Sequence, residues 1–194
     1  MEWPVRRVFE VALVTSPRGV RSDAMRIPLP IETERLVIRP FDPDGDVEAM
    51  ARVFLDPEVM RYIPGGVLPD VDDVRTMLVR YAEEQTERGF TFWAIADRGT
   101  AEVVGEVGLG IFAQTGDVEL GYTLARDRWG RGYATEAAGA CLAAGLAHLD
   151  APRIVAVIQT ENGPSKRVAE RIGMTFAEGL EAFGRPHVLY EARR

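Results

Sequence analysis

Apolar positions recur along this chain with two distinct periods, and each change of period marks an element. Leu36-Val37-Ile38-Arg39, ahead of Pro40, reads as a strand. Asp46 is placed to cap a helix through Leu55, closed by Asp56-Pro57. After a loop through Pro64-Gly65-Gly66, Asp70 followed by Asp73 resembles a capping arrangement. Val71, Val74, Met77, Leu78, Tyr81 and Ala82 then recur at helical spacing until Gly89.

From Phe90 the period drops to two. Phe92, Ala94 and Ala96 alternate with Trp93 and Ile95, Arg98-Gly99 turns the chain into Val103 to Phe112, and Gln114-Thr115-Gly116-Asp117 turns it again into Val118 to Leu124. A charged, glycine-bearing loop leads into a helix of small residues from Ala134 to Leu149, and Pro152 stops it. Ile154-Val155-Ala156-Val157-Ile158 is an unbroken apolar run, as expected of a strand covered on both faces. A short helix from Ser165 to Ile172 ends at Gly173, and strands near Met174 to Ala177 and His187 to Ala192 finish the chain. The order is mixed α+β, a run of antiparallel hairpins followed by one strand-helix-strand crossover. Residues 1–24 show no sustained period and read as a poorly ordered leader, with Met25 a candidate start and 25–194 one domain.

Composition narrows the function. Of 194 residues, 46% are hydrophobic and 27% charged, which is globular, and acids exceed bases by 30 to 23 for a net charge of −7. That balance disfavours nonspecific binding to nucleic acid or to an anionic membrane and suits a cationic acceptor. The single Cys141 excludes an intrachain disulfide framework, and His148 and His187 are too far apart in sequence to give metal spacing. No apolar run reaches transmembrane length, so a cytoplasmic protein without metal is expected. Cys141, in an apolar helix, reads as packing rather than as a nucleophile.

Chemistry concentrates between Val118 and Ala137, where a strand feeds Arg126-Asp127-Arg128-Trp129-Gly130-Arg131-Gly132-Tyr133-Ala134 and then a helix. Gly130 and Gly132 allow the backbone to turn several N–H groups toward one point, and the helix start adds partial positive charge. Each such contact contributes only about 0.3–1 kcal/mol, so convergent amides plus Arg126, Arg128 or Arg131 are required to hold a pyrophosphate. A Walker loop is excluded because no Gly-Lys-Ser/Thr ending exists. A dinucleotide fingerprint fails as well: Thr135 stands where its third glycine belongs, and the preceding elements are hairpins.

Taken together, Thr33-Glu34-Arg35-Leu36-Val37-Ile38-Arg39-Pro40, Glu119-Leu120-Gly121-Tyr122, Trp129 through Ala137 and Asn162-Gly163-Pro164-Ser165 resemble the GCN5-related N-acetyltransferase superfamily. Within it they resemble the RimJ/RimL branch of ribosomal-protein N-terminal acetyltransferases. The resemblance spans about Ile31 to Tyr190. It implies a twisted, mostly antiparallel sheet of six to seven strands with helices on both faces. It also implies a splayed parallel pair, Leu124 marking the end of one strand and Ile154 to Gln159 forming the other. The pantetheine arm of acetyl-CoA would enter that gap against the backbones of Tyr122, Thr123 and Leu124. Its pyrophosphate would rest on Trp129, Gly130, Arg131, Gly132, Tyr133 and Ala134. A β-bulge near Gly121 would aim an N–H at the thioester carbonyl.

Acetyl transfer to an amine requires a neutral amine, a polarised thioester and an acid for the departing thiolate. A carboxylate or a relayed water must take a proton from the ammonium. Glu119 is the first candidate base and Glu106 the second; for Glu119 a cross-strand charge pair or a solvent-facing position is the alternative. Ser165 resembles the serine this branch places near the thiol, and as a first helical residue is equally well explained as an N-cap. Asn162 is a pantetheine ligand by resemblance, or serves an Asn-Gly turn. Many relatives use a tyrosine on the helix after Asn162 as acid, and Ser165 to Ile172 contains none. In relatives the last strand borders the acceptor cleft, so His187 and Tyr190 could line it, with core or edge packing the favoured role, and Glu58, Arg61 and Tyr62 lie where relatives shape acceptor entry.

The expected activity is direct acetyl transfer from acetyl-CoA to a primary amine, either a protein N-terminus or a small molecule. Relatives of this kind are often homodimers. The alternative is an acyl-CoA-binding sensor module without catalysis, and nicotinamide-dependent redox chemistry is a third reading.

Overall fold

A computed structural model of the chain describes residues 26–194. The proposed leader and start at Met25 lie outside the described residues. Among those described, eight strands form one sheet. They are β1 (Ile31–Glu32), β2 (Leu36–Arg39), β3 (Phe92–Asp97), β4 (Val103–Phe112), β5 (Asp117–Leu124), β6 (Arg153–Gln159), β7 (Thr175–Ala182) and β8 (Arg185–Arg193), in spatial order 1-2-3-4-5-6-8-7. Every neighbouring pair is antiparallel except β5 and β6, which are joined by the helical crossover and run parallel. The fold is therefore the mixed α/β one expected. The strand count exceeds the expected six to seven because the two-residue β1 pairs with β2. The last two strands are also longer than their apolar runs suggest: residues 175–181 are mostly exposed, so solvent-facing positions of β7 carry little periodic signal.

Among the described residues, five α-helices cover the two faces: α1 (Val47–Phe54), α2 (Pro57–Met60), α3 (Val71–Arg88), α4 (Tyr133–His148) and α5 (Gly163–Arg171). The sheet pleat sorts the core between them. Leu36, Ile38, Val107, Leu109, Leu120, Leu124, Ile154 and Ala156 pack with Ala137, Ala138, Cys141 and Leu142 of α4, whereas Ala94, Ala96 and Val103 pack with α1 to α3. Close seating of α4 explains its composition: a Cβ on Gly145 would stand 2.6 Å from Ile154 and 2.8 Å from Leu109. Buried Cys141 is part of this packing, and burial pushes its thiol far up in pKa.

Capping shows where local rules held and where tertiary contacts took over. Asp70 caps α3 as expected, accepting from the Asp72 and Asp73 amides. Asp46 precedes α1 but makes no cap bond, because its carboxylate is held by both Nη atoms of Arg39, at 2.7 and 2.8 Å, and by the Asp42 amide. Asp56 does more than close α1; it caps α2 through the Glu58 amide. Ser165 is not the cap of α5. Asn162 is, its side-chain oxygen accepting from the Ser165 amide at 3.2 Å.

Candidate active site at the split between two strands

The parallel pair is incomplete. β5 and β6 share only Val118 with Ile154 and Glu119 with Val155, after which residues 120–124 and 156–159 part company. β6 meanwhile remains paired to β8 through Gln159 with His187, so the opening lies wholly on its β5 side. An ionic clamp closes the paired end: Arg153 binds Asp117 at 2.7 and 3.0 Å and Glu191 at 2.8 Å. This is the splay the sequence pointed to.

Backbone parity decides which β5 groups meet the gap. The β4–β5 ladder is continuous from Asp117 to Leu124, and the Ala125 amide beyond it donates to Val104 of β4. Because N–H and C=O directions alternate along a strand, Thr123 faces β4 while Tyr122 and Leu124 face the opening. The expectation that all three backbones line the gap is corrected accordingly. The Leu124 carbonyl is itself taken by the Trp129 indole N–H at 2.9 Å. The same continuous ladder shows no bulge at Gly121. The register shift in this part of the sheet lies between β3 and β4, at Ile95/Ala96. Gly121 instead admits the Phe92 ring, which a Cβ would meet at 3.0 Å.

Parity also sorts the titratable groups. Glu119, Thr123 and Glu106 share the face covered by α1 to α3, joined there by Gln159 and His187. The Gln159 amide nitrogen donates to the Tyr62 carbonyl at 3.2 Å, bringing the loop after α2 across the end of β6. Tyr190 is separated from His187, since it lies on the opposite face and donates to Glu170 of α5 at 2.9 Å. Tyr190 is a core residue, in keeping with the favoured packing role, and does not share a cleft with His187. Arg61 stacks on the ring of neighbouring Tyr62.

The two glutamates have different surroundings. Burial raises Glu119 to about 7, offset in part by the Val157 amide, which donates to it. Val157 lies two residues past the last paired position of β6, so the Glu119 carboxylate takes the donor that a continuing ladder would have used. Glu119 is half-buried and retains contact with solvent. Glu106 is enclosed, 5% exposed, and burial likewise raises it to about 7 against donors on Tyr81 and Thr123, the latter at 3.3 Å. Among the described residues its Oε2 is the one buried side-chain oxygen or nitrogen without a partner.

Beyond the gap lies the glycine loop. Gly130 and Gly132 have φ of 73° and 80°, the left-handed region in which a side chain is strained, and Gly132 precedes α4 without a side-chain cap. The amides of residues 130–133 make no hydrogen bond to the described chain and stand at the positive end of a 16-residue helix. Arg126 and Arg128 are committed elsewhere, to Asp56 and to Glu102. Arg131 is the loop guanidinium without an acidic partner among the described residues.

Sequence reading missed what anchors this loop. Arg35 donates to the Arg131 carbonyl at 2.8 Å and to Glu136 at 2.7 Å, and its guanidinium lies 4.8 Å above the Tyr133 ring. Glu136 also accepts from Thr33 and from the Arg35 amide. The Thr33-Glu34-Arg35 motif was visible, yet its partners are about a hundred residues distant and no local period links them. A second omission is the Tyr122 phenol, which lies 3.0 Å from the Ser165 hydroxyl.

Residues 35–175 match the profile described as the Acetyltransferase (GNAT) domain. The chain belongs to the GNAT acetyltransferase family. It is 33% identical over 164 residues to the uncharacterized protein YkkB of Bacillus subtilis (strain 168), covering 83% of this chain and 94% of that one. Among solved structures, it is similar to a GNAT-family acetyltransferase from Bacillus anthracis at 30% identity with a TM-score of 0.74, covering 85% of this chain and 98% of that one. The ribosomal L7/L12 α-N-protein acetyltransferase RimL, solved with coenzyme A, has the same fold at 18% identity and a TM-score of 0.72, covering 86% of this chain and 97% of that one. The GNAT family uses acetyl-CoA. Among the described residues no His, Cys, Asp and Glu group is placed to hold a metal, and no helix is long and apolar enough to cross a membrane.

Proposed function

We propose that this GNAT protein transfers acetyl from acetyl-CoA to a primary amine by direct attack, with Glu119 as general base. The observation that carries the reading is the position of half-buried Glu119 at the point where the β5–β6 ladder opens, with burial raising its carboxyl to about 7. A base with a pKa near the working pH holds a useful unprotonated fraction and remains strong enough to take an ammonium proton. Glu106, enclosed beneath Tyr81, is the less suitable base.

In this reading the opened edge of Tyr122 pairs with pantetheine amides. Gly130 through Ala134 receive the pyrophosphate on main-chain N–H groups, with Arg131 beside them, whereas the expected Trp129 amide is taken by the Arg126 carbonyl at 3.2 Å. Asn162 contributes only its amide nitrogen, since its oxygen caps α5. Acceptors enter on the face of Glu119, Gln159 and His187, beneath the Tyr62 loop. A net charge of −7 favours a cationic amine. The RimL likeness makes protein N-termini one acceptor class to test, beside small amines.

The test is a panel of N-terminal peptides and small amines assayed for amine-dependent release of CoA thiol. Turnover with at least one amine, and a higher melting temperature with acetyl-CoA but not with NAD(H), are the expected results. CoA binding without turnover on any amine would favour the sensor reading.

A further inference from the structure

The thiolate that leaves a thioester needs a proton, and the identity of its donor follows from an acid's strength as well as from its location. Ser165 stands at the third position of α5, and its hydroxyl is 3.0 Å from that of Tyr122. An alkyl hydroxyl is a much weaker acid than a thiol and cannot by itself favour protonation of sulfur. A phenol, with an ordinary pKa of about 10 against about 8.5 for a thiol, is close enough in strength to serve. Tyr122 projects from β5 past the last paired position, on the face of α4 and α5, so its ring reaches from one wall of the split to the helix that follows the other. Burial raises the phenol's pKa, and the Ser165 contact opposes that rise, as expected if the serine stabilises the phenolate.

We infer that the Tyr122 phenol is the general acid of the reaction, with Ser165 positioning it. The inference rests on the acetyl-transfer reading above. Glu119 takes one proton from the ammonium, the amine nitrogen forms its bond to the carbonyl carbon, and the C–S bond breaks with its electron pair passing to sulfur. The phenol proton goes to that sulfur. The second proton shed by nitrogen, as the amide forms, restores the phenol through solvent, so one proton is released per turnover. Acid and base thus work from opposite faces of a single strand.

The experiment compares wild type, Tyr122→Phe and Ser165→Ala on acetyl-CoA and on S-acetyl-4-nitrothiophenol, whose thiolate departs without protonation. On acetyl-CoA, Y122F should lose about a hundredfold in kcat with CoA affinity changed less than twofold, while S165A loses severalfold. On the activated thioester both variants should stay within about threefold of wild type. Should Y122F prove unstable, S165A keeps the test open, because its loss must likewise vanish on the activated donor. Equal losses on the two thioesters, or a wild-type rate for Y122F on acetyl-CoA, overturn the assignment and leave the acetyl-transfer reading standing. A wild-type protein inert toward every amine removes both.

Discussion

Glu119 and Tyr122, three residues apart on β5, project to opposite faces of the sheet at the point where that strand leaves its parallel neighbour. The carboxylate takes the Val157 amide on the α3 face, and the phenol meets Ser165 on the α5 face. An odd spacing on a pleated strand enforces this separation, and in the proposed mechanism it sets base and acid on the two sides of the sheet.

Glu119→Gln should lower kcat by about 10²–10³ while leaving the dissociation constant for CoA within twofold, measured by calorimetry beside steady-state rates. The wild-type kcat/KM should fall on the acid side with an apparent pKa near 7, because protonation removes the base, and that limb should be missing from the residual activity of the variant. Turnover equal to wild type would take Glu119 out of the mechanism.

Gly132→Asp should abolish CoA binding or weaken it more than tenfold. The substitution forces a side chain into φ of 80° and places negative charge where the proposed pyrophosphate would meet the loop amides. Thermal shift reads this directly: CoA at a hundred times its wild-type Kd should stabilise the wild type by about 2.7 kcal/mol and the variant by little.

Arg35→Ala should weaken CoA about three- to tenfold and cost about 1 kcal/mol of stability, although Arg35 belongs to β1–β2 and not to the loop. It holds the Arg131 carbonyl and Glu136 in place, and the partial exposure of the pair limits the loss. Unchanged affinity would show that the loop holds its shape without the anchor.

Glu106→Gln should raise stability at alkaline pH. With its folded pKa near 7 and its ordinary value of 4.5, the buried carboxyl stabilises the fold fully below about 4.5 and loses that contribution as pH rises through 7. The variant, neutral throughout, should unfold about 1–3 kcal/mol harder than wild type at pH 8 and similarly at pH 5, as read by urea titration at both values. A variant weaker at pH 8 would mean that the charged form has compensation not visible around its unpartnered Oε2.

The chain's own order of residues determined the elements and the loop. Periods of two and of 3.6 separated the hairpins β3 to β5 from α3, Asp70 capped where its spacing indicated, and Gly130 and Gly132 stood between a strand and a helix in a pattern that suits an anion cradle as well as a loop needing glycine to turn. These are local facts, carried by neighbours within a few residues. What faces what was decided by the tertiary structure. Only the truncated pairing of β5 with β6 gave Glu119 its place at the mouth of a gap. Only sheet parity separated His187 from Tyr190 and turned Thr123 toward β4. Arg35 with Glu136, and Tyr122 with Ser165, bridge 101 and 43 positions. Contacts at such separations arise from packing the whole sheet against its helices, and no short-range period in the sequence encodes them.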